Sequence, residues 1–159
     1  MGKEIERKFL VNGNQWRVGS KAAHTCQGYL VMAGECTVRV RLQEEQAFLT
    51  IKGKPEGITR LEYEYRIPAA DARELLARLC LQPYIEKNRY DVMHAGVKWE
   101  VDEFLKENEG LVVAEVELES EEQLIDLPPW VGEEVSGDPR YSNANLVKNP
   151  YSRWPPSPP

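Results

Sequence analysis

Seven segments of the chain alternate ionised and apolar side chains with a period of two. They are Glu4-Ile5-Glu6-Arg7-Lys8-Phe9, Thr37-Val38-Arg39-Val40-Arg41, Leu49-Thr50-Ile51-Lys52, Arg60-Leu61-Glu62-Tyr63-Glu64, Ile85-Glu86-Lys87-Asn88-Arg89, Trp99-Glu100-Val101-Asp102 and Ala114-Glu115-Val116-Glu117-Leu118-Glu119. A strand sends successive side chains to opposite faces, so each segment carries an ionised row on one face and an apolar row on the other. Two architectures satisfy that pattern. One is an ordinary sheet with its charged face in water, and the other is a closed barrel lined with charge.

A chain of 159 residues is expected to form one domain and to bury a sizeable core without disulfides or a structural metal. Its formal charge of -6 and pI near 5.1 argue against general nucleic-acid affinity, because attraction to a polyanion needs an excess of base. Cys26, Cys36 and Cys80 have no ligand-like spacing and are expected to be ordinary reduced thiols. The N-terminus runs straight into charged strand pattern, and no apolar run is long enough to span a membrane, so a cytoplasmic protein is expected.

Along the chain, strands are predicted at about 3–10, 25–33, 36–43, 46–53, 59–67, 84–93, 97–105 and 111–119. A short helix is predicted around Gln15 to Lys21. A longer one begins at Pro68, where Ala69, Ala72, Leu75, Leu76 and Leu79 recur at helical spacing and Asp71 sits in the first turn. A further helix is predicted after Ser120, with Leu124, Ile125 and Leu127 as its apolar side and Pro128-Pro129 as its stop. The last is Asn143 to Lys148, capped by Ser142. Residues 1–150 form the expected domain, and the proline-rich tail at 151–159 is expected to fray from Arg153 onward.

Eight strands suffice to close a barrel around a small ligand. With charge outward, Ile5, Val38, Val40, Ile51, Leu61, Tyr63, Trp99, Val101, Val116 and Leu118 would make an ordinary core. The charged phase is segregated, however. Bases dominate at Arg39, Arg41, Lys52, Lys54, Lys87, Arg89 and Lys98, and acids at Glu100, Asp102, Glu115, Glu117 and Glu119. Closed inward, these rows would form an electropositive wall facing an electronegative one.

Glu4-Ile5-Glu6-Arg7-Lys8 contains a Glu-x-Glu-x-Lys signature, and the ordered set that follows it spans residues 4 to 119. Together they resemble the CYTH superfamily, the triphosphate tunnel metalloenzymes, and Glu134-Val135-Ser136-Gly137-Asp138-Pro139-Arg140-Tyr141-Ser142-Asn143 resembles the tail of compact bacterial members. The resemblance implies a mainly β, α+β fold in which eight antiparallel strands form a closed tunnel. The ionic phase lies inside, flanking helices cover the outside, and a homodimer partner is the family-level expectation. Tyr63, Tyr65 and Trp99 would then lie under helices or at a subunit contact, and Tyr29 would face either the tunnel or the outer packing.

A triphosphate is a dense chain of negative oxygens, which arginine binds through bidentate hydrogen bonds and lysine as a point charge. The resemblance thus implies Lys8, Arg39, Arg41, Lys52, Lys54, Lys87 and Arg89 as the substrate-binding set, with Lys54 the least secure because Gly53 lies close to a turn. It implies Glu4, Glu6, Glu62, Glu64, Glu115 and Glu117 as hard oxygen donors for Mg2+ or Mn2+. Lys8, Arg41, Glu115 and Glu117 are expected at the reacting centre, and Glu100 and Asp102 as partners of lumen bases. The implied reaction is attack of metal-activated water on a terminal phosphorus of tripolyphosphate or a short polyphosphate. The alternatives are a class IV-type adenylate cyclase, a thiamine triphosphatase, a nucleoside triphosphatase or a non-catalytic polyphosphate-binding module. His24, His94, Cys26 and Cys36 are expected to play no catalytic part.

Overall fold

In the computed structural model, which describes residues 2–156, nine strands and two α-helices follow one another along the chain. They are β1 (Lys3–Val11), β2 (Ala22–Ala33), β3 (Cys36–Gln43), β4 (Gln46–Gly53), β5 (Thr59–Ile67), α1 (Ala69–Arg78), β6 (Ile85–His94), β7 (Val97–Phe104), β8 (Val112–Glu117), β9 (Val131–Glu134) and α2 (Asn143–Lys148). The hairpin turns have local causes. Ala95 and Gly96 both take positive φ, 49° and 78°, as a two-residue turn matched to strand twist requires.

Hydrogen bonding runs β5-β4-β3-β2-β6-β7-β8-β1, every pair antiparallel, and β1 returns to β5 to close the ring. The closing seam is short: Lys3 pairs with Leu61, Glu4 with Arg60 and Ile5 with Thr59. Further along the same edge of β1, β9 takes over, pairing at Phe9–Glu134 and Val11–Val131. This ninth strand escapes the sequence pattern because Val131-Gly132-Glu133-Glu134 is too short to show a period.

The charged phase faces inward, and the apolar phase is covered from outside over part of the ring, while Val31, Ile51, Leu61, Tyr63 and Tyr65 stay exposed. Phe9, Trp99, Val101, Ala114 and Val116 form one outer patch beneath Trp16, Leu118 and Trp130, with Trp99 fully buried against the edge of Trp130 at 5.8 Å between ring centroids. A second patch forms where α1 lays Ala72 and Leu76 on Val40 and Ala47. Close approach there depends on Gly28, since a Cβ at that position would lie 2.9 Å from Cys80 Cβ and 3.1 Å from Leu76 Cδ2.

The inward phase is not ionic throughout. At one end Tyr29, Ile85, Phe104, Leu111 and Val113 form an apolar cluster with Leu146 and Val147 of α2, and Leu10 packs against it. Tyr29 therefore both packs in this cluster and borders the lumen. Helix α2 stoppers this end, with the Ser142 hydroxyl accepting the Asn145 backbone N–H at 3.1 Å as its cap.

Five local expectations are corrected. The segment after Ser120 forms only a turn, Gln123 N–H to Ser120 C=O, because the stretch before Pro128 is too short to bury its own side, and Leu124 stays almost wholly exposed. The Gln15–Lys21 helix contracts to a single 3-10 turn at Gln15–Arg17, and β2 starts at Ala22, earlier than expected. Leu79 ends α1 exposed and takes no part in its buried face. In the tail, Trp154 is anchored: its ring packs edge-on against Tyr141 and Tyr151 at 5.1 Å and its Nε1–H donates to Asn149 C=O. Residues 157–159 lie outside those described.

Candidate active site in the barrel lumen

The inward rows enclose a cavity of about 790 Å³. Around the ring the charges divide by sector, because the strand order groups them. Strands β4, β3 and β6 supply Lys52, Arg39, Arg41, Lys87 and Arg89, while β7, β8 and β1 supply Glu100, Glu115, Glu117, Glu4 and Glu6 and, among these acids, the bases Lys98 and Lys8. Strand β5 sits at the boundary with Arg60, Glu62 and Glu64. Register brings individual groups level: Glu6 lies opposite Glu117, Lys8 opposite Glu115, Glu115 opposite Glu100 and Arg89 opposite Asp102.

Beneath the basic sector, Asp102 holds two cations. It accepts Lys87 Nζ at 2.7 Å and both Arg89 Nε and Nη2, at 2.8 and 2.9 Å, and all three side chains are buried. Burial would raise the Asp102 carboxyl, but Arg89 and Lys87 hold it far below the usual range. Burial lowers the Lys87 ammonium to about 8 against the opposing pull of Asp102. Arg89 reaches Glu100 at 3.1 Å as well. The Arg41 guanidinium is pushed down by burial and by its neighbours Arg39 and Arg89, and it meets Glu64 at 3.3 Å. This crowding of like charge is what an anion would relieve.

The acidic sector shows the opposite imbalance. Glu4 is near Lys52 at 3.3 Å and Arg60 at 3.7 Å, yet burial still raises its carboxyl. Burial would raise Glu62, which shares Lys52 at 3.2 Å, but Glu4 and Lys52 draw it down. Glu6 and Glu117 join no salt bridge among the described residues. Glu6 is raised well above its usual range by burial, then by Glu115 and Glu4, and Glu117 is raised by burial, Glu4 and Glu100. Glu115 differs. Burial would raise it, but Lys8 at 3.7 Å, with Arg89 and Lys87, takes it to about 2.

These carboxylates fit a hard divalent cation chemically, since all offer oxygen and Glu6 and Glu117 have no cationic partner within salt-bridge distance among the described residues. No three of them bring their oxygens within 4.8 Å of one another among the described residues. The donor set therefore suits a hard divalent ion that takes one or two carboxylates and completes its shell with water and other oxygens.

One expected base is not part of the cavity. Lys54 lies beyond Gly53, where β4 ends, exposed in the loop before Pro55, and is not among the residues that line the cavity. The C-terminal segment supplies contacts that the strand pattern did not announce. Lys8 Nζ donates to Tyr141 C=O at 3.1 Å, and Lys87 Nζ donates to Asn143 Oδ1 at 3.2 Å. A backbone carbonyl leaves no mark in a sequence, whereas Asn143 was visible only as the first residue of a capped helix.

Comparison with known proteins places this geometry. The CYTH domain matches residues 2–151, nearly the whole chain. The chain belongs to the CYTH domain family. This CYTH domain is 52% identical over 154 residues to an inorganic triphosphatase of Acetivibrio thermocellus, covering 97% of this chain and 99% of that one. It is 36% identical over 152 residues to an inorganic triphosphatase of Nitrosomonas europaea, covering 91% and 96%. A solved inorganic triphosphatase superimposes on it with a TM-score of 0.65 at 35% identity, over 90% of this chain and 96% of the other. The CYTH domain thus shares its fold with a solved inorganic triphosphatase, and no helix of the described residues is long and apolar enough to cross a membrane.

Proposed function

We propose that this CYTH domain hydrolyses inorganic triphosphate to pyrophosphate and orthophosphate with the help of Mg2+ or Mn2+. The observation that carries the reading is the division of one cavity into a mainly basic and a mainly acidic half, with Arg41 crowded by Arg39 and Arg89 on one side and Glu6 and Glu117 outside any salt bridge among the described residues on the other. A triphosphate and a divalent cation together neutralise both halves, and neither does so alone. The relatives' activity supports the same conclusion.

In this mechanism Arg39, Arg41, Lys52, Lys87 and Arg89 bind the phosphate chain, with Asp102 fixing the last two in position. Lys8, beside Glu115, meets the phosphoryl group at the boundary of the two sectors. Glu4, Glu6 and Glu117 would hold the cation, with Glu62 and Glu64 beside them engaged with Lys52 and Arg41. The bound cation supplies Lewis acidity and lowers the pKa of its water. Glu115, kept ionised, orients the attacking water. The water oxygen bonds to the terminal phosphorus, the bond to the bridging oxygen breaks, and pyrophosphate leaves while the basic row stabilises its charge.

Phosphate release from tripolyphosphate, ATP, thiamine triphosphate and pyrophosphate, each with Mg2+ or Mn2+, tests the reading. Highest kcat/KM on tripolyphosphate is expected. A preference for thiamine triphosphate, cyclic nucleotide formed from ATP, or binding without turnover would each overturn it. Three free cysteines suit a reducing compartment such as the cytoplasm. For assembly the reading is a homodimer: Val31, Val38, Ile51 and Tyr63 stand level in one apolar row across the outside of β2 to β5, and Val31, Ile51 and Tyr63 are exposed.

A further inference from the structure

A different set of donors gathers on the outside of the barrel. His24 and Cys26 are two residues apart on β2 and project from the same face. The β2–β6 register sets Cys26 directly opposite Glu86 and His24 opposite Asn88, which makes Glu86 the diagonal neighbour of His24. An imidazole nitrogen, a thiol sulfur and a carboxylate oxygen thereby fall within 4.8 Å of one another, the only such grouping among the described residues. His24 Nε2 and Glu86 Oε2 are 3.2 Å apart already. The neighbouring Thr25 and Lys87 are buried and point the other way, so the sheet separates this cluster from the lumen.

We propose that His24, Cys26 and Glu86 form a second metal site, for a borderline-soft divalent transition ion of the Zn2+ type. The donor chemistry makes the distinction. The lumen offers oxygen alone and suits Mg2+ or Mn2+, whereas nitrogen and sulfur donors select Zn2+ over those ions. Three protein ligands leave a fourth tetrahedral position for water. With zinc bonds of about 2.0–2.3 Å, ligand atoms in such a centre stand roughly 3.5 Å apart, so the present spacing needs only a small closing movement.

The frame is already set. Six consecutive residue pairs, Ala22–Tyr90 through Gln27–Ile85, tie β2 to β6 at the site. Glu44 Oε1 accepts the His24 backbone N–H at 3.0 Å, and Glu44 N–H donates back to His24 C=O at 3.0 Å. On binding, the Cys26 S–H bond gives way to a sulfur–metal bond and its proton passes to solvent. Burial and then Glu86 push that thiol up to about 11, so the exchange is disfavoured in acid. An occupied site would clamp β2 to β6 behind Lys87 and Arg89, the part of the wall that carries the buried cations.

Co2+ titration of the full chain in saturating Mg2+ tests this, with Mg2+ occupying the lumen and cobalt reporting its ligands by absorption. One equivalent should produce a sulfur-to-cobalt charge-transfer band that Zn2+ then abolishes. Cys26→Ser should lose the band. His24→Ala, a change at an exposed residue, should weaken binding by more than the roughly tenfold that even an outer-shell change costs, while Mg2+-supported activity stays unchanged. Absence of the band, its survival in Cys26→Ser, or an unaltered titration of His24→Ala would overturn the site. Should Cys26→Ser fail to fold by circular dichroism, the His24→Ala titration decides. The test is independent of what the lumen hydrolyses.

Discussion

Asp102 is the most consequential single side chain for the basic wall, because two buried cations depend on it. Asp102→Ala would leave Lys87 and Arg89 unpaired, and breaking such a buried arrangement costs about 3–5 kcal/mol. A melting temperature lowered by roughly 6–20 °C is expected in calorimetry. Arg41 behaves oppositely. Its cavity position is crowded by Arg39 and Arg89, so Arg41→Ala should leave the melting temperature nearly unchanged. It should cut kcat/KM for tripolyphosphate by about 10- to 100-fold, the worth of a charged hydrogen bond of about 1.5–3 kcal/mol. Glu4→Gln should likewise depress turnover far more than folding, with weaker activation by Mg2+ or Mn2+, and full activity in a folded protein would remove Glu4 from the metal region. These residues were legible because the period of two fixed their face. Their pairing was not: Asp102 gains two cations and Glu6 none through register and depth, neither of which a linear pattern encodes.

At the level of elements, α2 does what its composition barely suggests. Six residues seldom hold a helix unaided, yet Leu146 is buried at the apolar end of the lumen. Leu146→Ala is expected to cost about 2–5 kcal/mol, measurable in urea denaturation, by opening a cavity where the cluster around Phe104 and Ile85 now closes. The strands, α1 and the Ser142 cap could be inferred from pattern. The stretch after Ser120 could not, because Leu124, Ile125 and Leu127 imitate a helical face of which the fold packs only Ile125 against its core. Strand β9 was hidden for the converse reason, since its pairing to β1 is decided by tertiary proximity at Phe9 and Val11.

For the molecule as a whole, the lumen couples stability to pH and to metal. Carboxyls raised above their ordinary value near 4.5, as in Glu4, Glu6 and Glu117, add stability that is complete below that value and lost as pH climbs through their folded pKa. Asp102, lowered from its ordinary 3.8, contributes in the other direction, and its share disappears as pH falls below that value. Metal-free protein should therefore be most stable in mild acid and lose melting temperature toward neutrality. Mg2+ or Mn2+ should flatten that decline, and an identical profile with and without metal would contradict the acidic sector as its binding place. The outer row at Ile51 and Tyr63 gives a separate expectation: a dimer by light scattering, reduced to a monomer by Tyr63→Glu. A monomeric parent protein would reject it. Closure of the ring was foreseeable from strand number, but its seam was not. That seam joins the beginning of the chain to its middle through three residue pairs, while the opposite edge of β1 waits for β8. During synthesis β1 thus leaves the ribosome well ahead of both its neighbours, and the nascent wall stays an open gutter until β8 has followed it out.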